Sequence, residues 1–126
     1  MVKKKILIVD DELSITRLLK LNLEKNGGFL VRTENEGTKA LAAAKEFKPD
    51  LILLDVMMPD IDGGDVAAII QADPLLRNVP VVFLTAAVKK EELDAKGGMI
   101  GGFPYIAKPL DVKGVTAVIE RTLAEG

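Results

Sequence analysis

LILLDVMMPDIDGG, residues 51–64, is the stretch of the sequence that decides the fold. Its first four residues form an apolar run that is too short for a helix, so we predict a buried β-strand. Asp55 follows this strand directly, and the loop after it contains Pro59, Gly63 and Gly64. The pattern therefore predicts a strand in the interior that ends in a carboxylate and a turn.

Two other apolar runs have the same character as residues 51–54. Residues 6–9 and 81–84 are also continuously apolar, which is typical of parallel strands that are covered on both faces. Residues 29–33 and 103–106 give two further predicted strands. Pro104 lacks a main-chain N–H group, so it favours an edge position for the last strand.

Apolar residues recur at helical spacing in the segments between and after these strands. The first predicted helix contains Ile15, Leu18, Leu19 and Leu23 and ends at Gly27-Gly28. The second is capped by Asn35, has an inner face of Ala40, Leu41, Ala44 and Phe47, and ends before Pro49. The third contains Val66, Ile69 and Ile70, and the polar fourth covers residues 89–96. The fifth is capped by Asp111, with Val112, Val115, Ile119 and Leu123 inward.

The alternation of five strands with five helices predicts an α/β fold. Right-handed crossovers place the helices on both faces of a parallel sheet. We predict a flavodoxin-like (βα)5 doubly wound arrangement with five strands in the order 2-1-3-4-5. The alternation contains no linker or repeat, so residues 1–126 are predicted to form one domain.

The amino-acid composition excludes several kinds of covalent and catalytic chemistry. The 126 residues include no cysteine and no histidine, which excludes disulfides, thiolate nucleophiles and imidazole bases. The net charge is −2, so we expect no general attraction to nucleic acid or to anionic lipid. Without a long apolar segment, the sequence predicts a cytoplasmic protein that does not bind a membrane.

Polar residues follow four of the predicted strands. Asp10, Asp11 and Glu12 follow the first, Asp55 the third, Thr85 the fourth, and Lys108-Pro109 the fifth. The carboxyl ends of parallel strands lie at one edge of a sheet, and ligands bind there where the strand order reverses. Taken singly, each aspartate fits an ordinary turn or helix cap. Taken together, the three aspartates are expected to converge.

Such a cluster needs a cation. Two unit charges about 4–5 Å apart repel by roughly 3–4 kcal/mol at an intermediate dielectric. Oxygen ligands favour a hard divalent ion, so we predict Mg²⁺, or Mn²⁺ in its place, with Lys108 as a fixed positive charge. Phosphoryl transfer needs a nucleophile and cationic partners for the phosphoryl oxygens, and Asp55 is the best candidate for the nucleophile.

These residues resemble the signature of the receiver domains of two-component response regulators, such as the chemotaxis regulators. The resemblance covers essentially the whole chain and rests on an ordered set: Asp10, Asp11, Asp55, Thr85 and Lys108-Pro109. The loop of residues 56–63 is similar to the loop that follows the phosphorylated aspartate in that family. Tyr105 is at the position of the family's switch aromatic.

The resemblance implies specific roles. Asp55 would accept a phosphoryl group from a phosphohistidine on a sensor histidine kinase or a phosphotransfer protein. Asp11, Asp55 and the main-chain carbonyl of Met57 would bind Mg²⁺, with Asp10 acting mainly through water. Lys108 and Thr85 would bind the phosphoryl oxygens, and Thr85 would form the conformational switch with Tyr105. The domain would catalyse only its own phosphorylation and dephosphorylation, so it is not a turnover enzyme.

The resemblance also implies an output surface formed by the fourth helix, the fifth strand and the fifth helix. An unknown partner, an output domain or a phosphorylation-dependent homodimer would use it. Residues 97–102 contain four glycines, more than is usual before the last strand, so we expect the fourth helix to be short and mobile at its end.

Three other functions are compatible with an α/β fold of this kind. An aspartate-nucleophile phosphatase needs a second aspartate two residues after the nucleophile, but position 57 is Met. A flavin or nucleotide site needs a phosphate cradle after the first strand, where Asp10, Asp11 and Glu12 would repel phosphate. A receiver-like interaction module that acts without phosphorylation stays open as the alternative.

Overall fold

The structure is a computed structural model, and it describes residues 2–125. These residues form six strands and five helices, which alternate along the chain except that the last two strands are consecutive. The strands are β1 (Lys5–Val9), β2 (Leu30–Glu34), β3 (Leu51–Asp55), β4 (Val81–Thr85), β5 (Met99–Ile100) and β6 (Phe103–Ala107). The helices are α1 (Leu13–Asn26), α2 (Ala40–Phe47, after a 3-10 turn at Gly37–Lys39), α3 (Gly63–Ala72), α4 (Lys90–Ala95) and α5 (Val112–Glu125).

The sheet has the order β2-β1-β3-β4-β6-β5. The five longer strands are parallel and confirm the predicted order 2-1-3-4-5. Strand β5 is an additional, antiparallel strand, so the prediction of five strands was incomplete. The predicted edge position of Pro104 was also wrong, because β5 lies beyond β6. Gly101 and Gly102 join the two strands, and both have the positive φ that a tight two-residue hairpin turn requires.

The core consists of two layers, one on each face of the sheet. Alternate strand residues point to opposite faces. Leu7, Ile52 and Phe83 belong to one cluster, which α2 and α3 cover. Ile6, Leu53 and Leu84 belong to the other, which α1 and α5 cover. This arrangement explains why the strands β1, β3 and β4 are apolar without alternation.

The helices match the predicted segments with local differences. Leu18 in α1 and Ile69 in α3 were predicted from their helical spacing but are half exposed. The buried faces of these helices pass through the next residues, Leu19 and Ile70. Asp111 precedes α5, and its carboxylate accepts a hydrogen bond from the Lys113 N–H, as a cap should. Helix α4 has six residues and is short, as predicted. No helix among residues 2–125 combines the length and the apolar character that crossing a membrane requires.

The prediction that Asn35 caps α2 was wrong. Helix α2 is preceded by the 3-10 turn, whose N-cap residue is Glu36, and the Glu36 side chain makes no capping hydrogen bond. The Asn35 side chain instead donates hydrogen bonds to the Asp10 carbonyl at 2.8 Å and to the Thr16 hydroxyl at 3.0 Å. Local sequence preference was outweighed by acceptors that lie far away in the sequence.

Candidate functional site: an acidic pocket at the carboxyl edge of the sheet

The acidic pocket is formed where β1 and β3 end side by side. Val9 is paired with Leu54 in the parallel register, so the next residues, Asp10 and Asp55, are neighbours. One carboxylate oxygen from each of Asp10, Asp11 and Asp55 lies within 4.8 Å of the others. Asp10 and Asp55 are buried, whereas Asp11 is exposed at the mouth. The predicted convergence of the three aspartates is therefore present in the structure.

Lys108 lies among these carboxylates. Its Nζ atom is 3.0 Å from Asp10 Oδ2, 3.0 Å from Glu12 Oε1 and 3.5 Å from Asp55 Oδ1. The main-chain N–H of Lys108 donates to the Thr85 carbonyl at 2.7 Å, which anchors the loop after β6 to the end of β4. Burial opposes the charge of Lys108, but the acidic side chains of Asp10, Glu12 and Asp55 around its ammonium group outweigh burial and raise its pKa. Lys108 therefore brings a positive charge within 3.5 Å of both buried aspartates.

Asp55 has a perturbed carboxyl group. Burial, first, and the negative charge of Asp10, second, raise its pKa to about 6, although Lys108 acts in the opposite direction. A carboxylate with a raised pKa is more basic and is held at a higher free energy than one in water. Above this pKa the ionised oxygen can act as a nucleophile, and its charge favours a nearby cation.

The donor set of the pocket fits a hard divalent cation. Asp10 Oδ1 accepts the Glu12 N–H at 2.9 Å, whereas Asp10 Oδ2 is buried without a hydrogen-bond partner among the described residues. Its distance to Lys108 is short, but the direction of the contact is not that of a hydrogen bond. Lys108 can balance only one of the three clustered carboxylates. Oxygen ligands that keep excess negative charge suit Mg²⁺ with retained waters.

Thr85 lies at the end of β4, next to Asp55 across the sheet. Its side chain is buried, and its hydroxyl oxygen accepts the Ala87 N–H at 3.0 Å. The hydroxyl hydrogen stays available as a donor. The register pairs Asp55 with Leu84, so Thr85 extends one residue beyond the nucleophile candidate on the pocket edge.

Tyr105 and Met57 are located more peripherally. The Tyr105 ring is partly buried in β6 and packs on Phe83, with 5.0 Å between ring centroids. The register pairs Tyr105 with Phe83, two residues before Thr85 on β4, and pairs Thr85 with Ala107. The Met57 side chain is exposed. The metal-binding role of its main-chain carbonyl stays a prediction.

Sequence reasoning assigned no role in the pocket to Glu12 or Thr16, and it gave Asn35 only the role of a helix cap. Glu12 binds Lys108, and Thr16 is fully buried beneath the β1–α1 turn, where it accepts the Asn35 amide. The strand-end position of Glu12 was the one signal available for it. Asn35 and Thr16 interact across 19 positions of sequence, and no short motif joins them.

The fold and the pocket define a class of protein, and the chain belongs to the response regulator receiver domain family. The family's sequence profile, described as the response regulator receiver domain, matches residues 6–120. Such a domain is a phosphoacceptor signalling module of two-component systems. The membership confirms the resemblance seen in the sequence.

Individual members of the family are similar to this chain over nearly all of its length. The chain is 43% identical to the alkaline phosphatase synthesis transcriptional regulatory protein PhoP of Bacillus subtilis, over 95% of this chain and 48% of that protein. It is 38% identical to the DNA-binding response regulator MtrA of Mycobacterium tuberculosis, over 96% of this chain and 51% of that protein. The chain therefore spans about half the length of these relatives.

Solved structures agree with the fold. The chemotaxis protein CheY4 of Vibrio cholerae superposes with a TM-score of 0.81 at 27% identity, covering 95% of this chain and 98% of that one. The N-terminal domain of a response regulator receiver protein from Methanoculleus marisnigri gives a TM-score of 0.69 at 36% identity, covering 95% and 96%. The likeness to a chemotaxis regulator confirms the predicted topology.

Proposed function

We propose that Asp55 accepts a phosphoryl group from a phosphohistidine on a sensor histidine kinase or a phosphotransfer protein. The observation that carries this proposal is the meeting of Asp10, Asp11, Asp55 and Lys108 in one pocket of a receiver domain. Residues 1–126 act as one receiver domain in this proposal. The 126 residues contain no histidine, so the donor histidine lies outside them.

The transfer is a direct displacement at phosphorus. An Asp55 carboxylate oxygen forms a bond to the phosphorus atom while the bond from phosphorus to the donor imidazole nitrogen breaks, and that nitrogen retains the electron pair and takes up a proton. An aspartyl phosphate and a free histidine result. Burial and the Asp10 charge, which raise the pKa of Asp55, make this carboxylate a better nucleophile than one in water.

Mg²⁺, or Mn²⁺ in its place, would be held by Asp11, Asp55 and the Met57 carbonyl, with Asp10 acting mainly through water. When bound, the ion supplies positive charge that neutralises the carboxylates and the phosphoryl oxygens. Lys108 supplies a second positive charge 3.5 Å from Asp55, where it can bind a phosphoryl oxygen. The Thr85 hydroxyl donates a hydrogen bond to another oxygen.

Phosphorylation would shift an equilibrium between two conformations. The phosphoryl group biases that equilibrium only through contacts that it makes better in one state, here with Thr85 and Lys108. Thr85 moves toward the phosphoryl group, and Tyr105 turns inward into the space behind it. Tyr105 packs on Phe83, and Lys108 binds the Thr85 carbonyl, so both are mechanically linked to β4.

The face of α4, β6 and α5 is the proposed output surface. A groove of about 430 Å³ lies there, lined by residues that include Leu93, Tyr105, Val118 and Arg121. An output domain, a separate partner or a second copy in a phosphorylation-dependent homodimer would bind this face. Two relatives are a transcriptional regulatory protein and a DNA-binding response regulator, which favours transcription control as the process regulated. The receiver domain itself does not contact nucleic acid in this proposal.

Incubation with acetyl phosphate and Mg²⁺ tests the proposal by intact mass. We expect a mass increase of one phosphoryl group on the native chain and none on Asp55→Asn. Asp65→Asn, on the exposed side of α3, is the matched control and should be phosphorylated like the native chain. An unmodified native chain would contradict the proposal and favour an interaction module that acts without phosphorylation.

A further inference from the structure

The β2–α2 connection, residues 35–38, contacts both loops that carry the pocket aspartates. The β1–α1 turn carries Asp10 and Asp11, and the β3–α3 loop begins directly after Asp55. The pairing of β1 with β3 places Asp10 beside Asp55, whereas the loop residues beyond the strand ends are held by other contacts. The connection lies beside both and supplies no carboxylate to the pocket.

Asn35 fixes the first loop through the main chain of Asp10. The Asp10 N–H donates to the Glu34 carbonyl at 3.1 Å, and the Asp10 carbonyl accepts the Asn35 side-chain amide at 2.8 Å. Both polar groups of the Asp10 main chain are thus bound to consecutive residues at the end of β2. The same Asn35 amide donates to the buried hydroxyl of Thr16, which ties α1 to this contact.

The second loop is fixed two and three residues further along the connection, at Gly37 and Thr38. The Thr38 N–H donates to Asp60 Oδ2 at 2.9 Å. Gly37 is buried, and a Cβ atom placed on it would lie 2.5 Å from Ile61 Cγ2 and 2.9 Å from Met58 Cε. The loop that contains Met57 therefore packs directly on the backbone of the connection, and a Cβ atom at position 37 would push the Ile61 and Met58 side chains away.

We infer that residues 35–38 set the spacing of the metal ligands, with Asn35 and Asp60 as positioning residues. This inference rests on the proposed function, because it concerns the affinity of the proposed Mg²⁺ site. Neither residue touches the ion or the phosphoryl group. Asn35 acts through the Asp10 carbonyl, and Asp60 acts through the loop that holds Met57. A shift of about 1 Å in a ligand is enough to weaken an octahedral Mg²⁺ site, because this ion tolerates little distortion.

The first test compares Asn35→Leu with Asn22→Leu. Both asparagines donate a side-chain amide to a main-chain carbonyl at 2.8 Å, but the acceptor of Asn22 is Leu18, on the exposed side of α1. Leucine has a similar volume, removes the amide and leaves the charge unchanged. We expect the Kd for Mg²⁺, measured by NMR titration of backbone amides, to rise about threefold to tenfold for Asn35→Leu, because the hydrogen bond to the Asp10 carbonyl is lost. Asn22→Leu should change it less than twofold.

The second test compares Asp60→Ala with Asp60→Asn. Asparagine keeps the oxygen that accepts the Thr38 N–H and loses only the charge. We expect Asp60→Ala to weaken Mg²⁺ binding about threefold and Asp60→Asn to restore most of the affinity. Equal weakening in both variants would mean that the charge of Asp60 is responsible, and the positioning role would be wrong. Asp60 is exposed, so these variants stay informative even if Asn35→Leu does not fold.

The outcomes separate this inference from the proposed function. A native chain whose pocket amides do not respond to Mg²⁺ would overturn both. A native chain that binds Mg²⁺, together with an Asn35→Leu variant of equal affinity and lower free energy of unfolding, would overturn the positioning role alone, because Asn35 would then stabilise the fold without acting on the site. Weaker Mg²⁺ binding at unchanged amide dispersion supports the inference.

Discussion

Strands β3 and β6 run parallel on either side of β4 and end at the same pocket, yet they are packed in opposite ways. All five residues of β3 are buried, whereas all five residues of β6 are only partly buried. Helix α4, beside β6, has six residues and one buried side chain. The half of the pocket that holds Asp55 is set in the core, and the half that holds Lys108 is attached to a thinly covered edge. We call β1, β3 and the α3 side of the pocket, with Asp55, the chemical half, and α4, β5 and β6, with Lys108, the responsive half. The proposed switch needs a part of the fold that can move, and such parts are drawn from its less stable regions.

The first prediction tests the difference in packing by the same substitution, isoleucine to alanine, in each half of the molecule. Ile6 in β1 is fully buried, and Ile106 in β6 is partly buried against the same cluster. We expect Ile6→Ala to lower the free energy of unfolding by about 3–4 kcal/mol and Ile106→Ala by about 1–2 kcal/mol, because the cavity beside β6 can relax toward solvent. Urea unfolding of both variants measures this. Equal losses would mean that β6 is as tightly packed as β1.

The second prediction concerns Asp55 and the way in which its raised pKa makes the free energy of unfolding depend on pH. The pKa of Asp55 is raised from 3.8 to about 6, so the folded state holds a proton that the unfolded state has already released. Stability then falls as the pH rises from about 4 to about 6 and stays lower above that range. Asp55→Asn should therefore raise the metal-free free energy of unfolding by at most about 3 kcal/mol at neutral pH, and this gain should vanish near pH 4.

Urea unfolding of the native chain and Asp55→Asn across this pH range, with a metal chelator present, is the measurement. The difference between the two chains cancels the titration of all other groups that they share. A gain that is constant with pH would show that Asp55 is not held at raised free energy by burial and by Asp10. A loss at neutral pH would show that the contact with Lys108 outweighs both.

The chemical half was the easier one to predict from the sequence. Strands β1, β3 and β4 are continuously apolar because both faces are covered, and this signal is strong within a few residues. The aspartates directly after β1 and β3 meet because parallel strands end at one edge, so topology alone places Asp10 beside Asp55. No side-chain geometry was needed for that step.

The remaining features depend on contacts that the sequence does not encode locally. Asn35 has the residue type of a helix cap, but its acceptors lie 25 and 19 positions away. Strand β5 has only two residues, so no apolar period marks it, although Gly101-Gly102 between two short runs is a hairpin signal that was available. The ion pair of Lys108 with Glu12 joins residues 96 positions apart and depends on side-chain conformation.

The smallest predicted effects come from two glycine substitutions that should change the free energy of unfolding in opposite directions. A Cβ atom at Gly64 or at Gly98 would meet no atom within 4 Å, so packing plays no part in either case. Gly64 lies in α3 of the chemical half, whereas Gly98 has a φ of +76° and precedes β5 in the responsive half. Alanine restricts the unfolded chain at both positions, but at Gly98 it also has to adopt a left-handed backbone.

We therefore expect Gly64→Ala to raise the free energy of unfolding by about 0.5 kcal/mol and Gly98→Ala to lower it by about 1 kcal/mol. Thermal and urea unfolding of both variants give the signs. If Gly98→Ala is neutral, the segment before β5 escapes the strain by changing its conformation, which requires that the hairpin is only weakly held. A neutral result would indicate that the glycines before β5 are the most easily deformed part of the responsive half. A loss of about 1 kcal/mol would indicate that these glycines are held in place, so that the movement proposed for this half would have to occur in α4 or in β6.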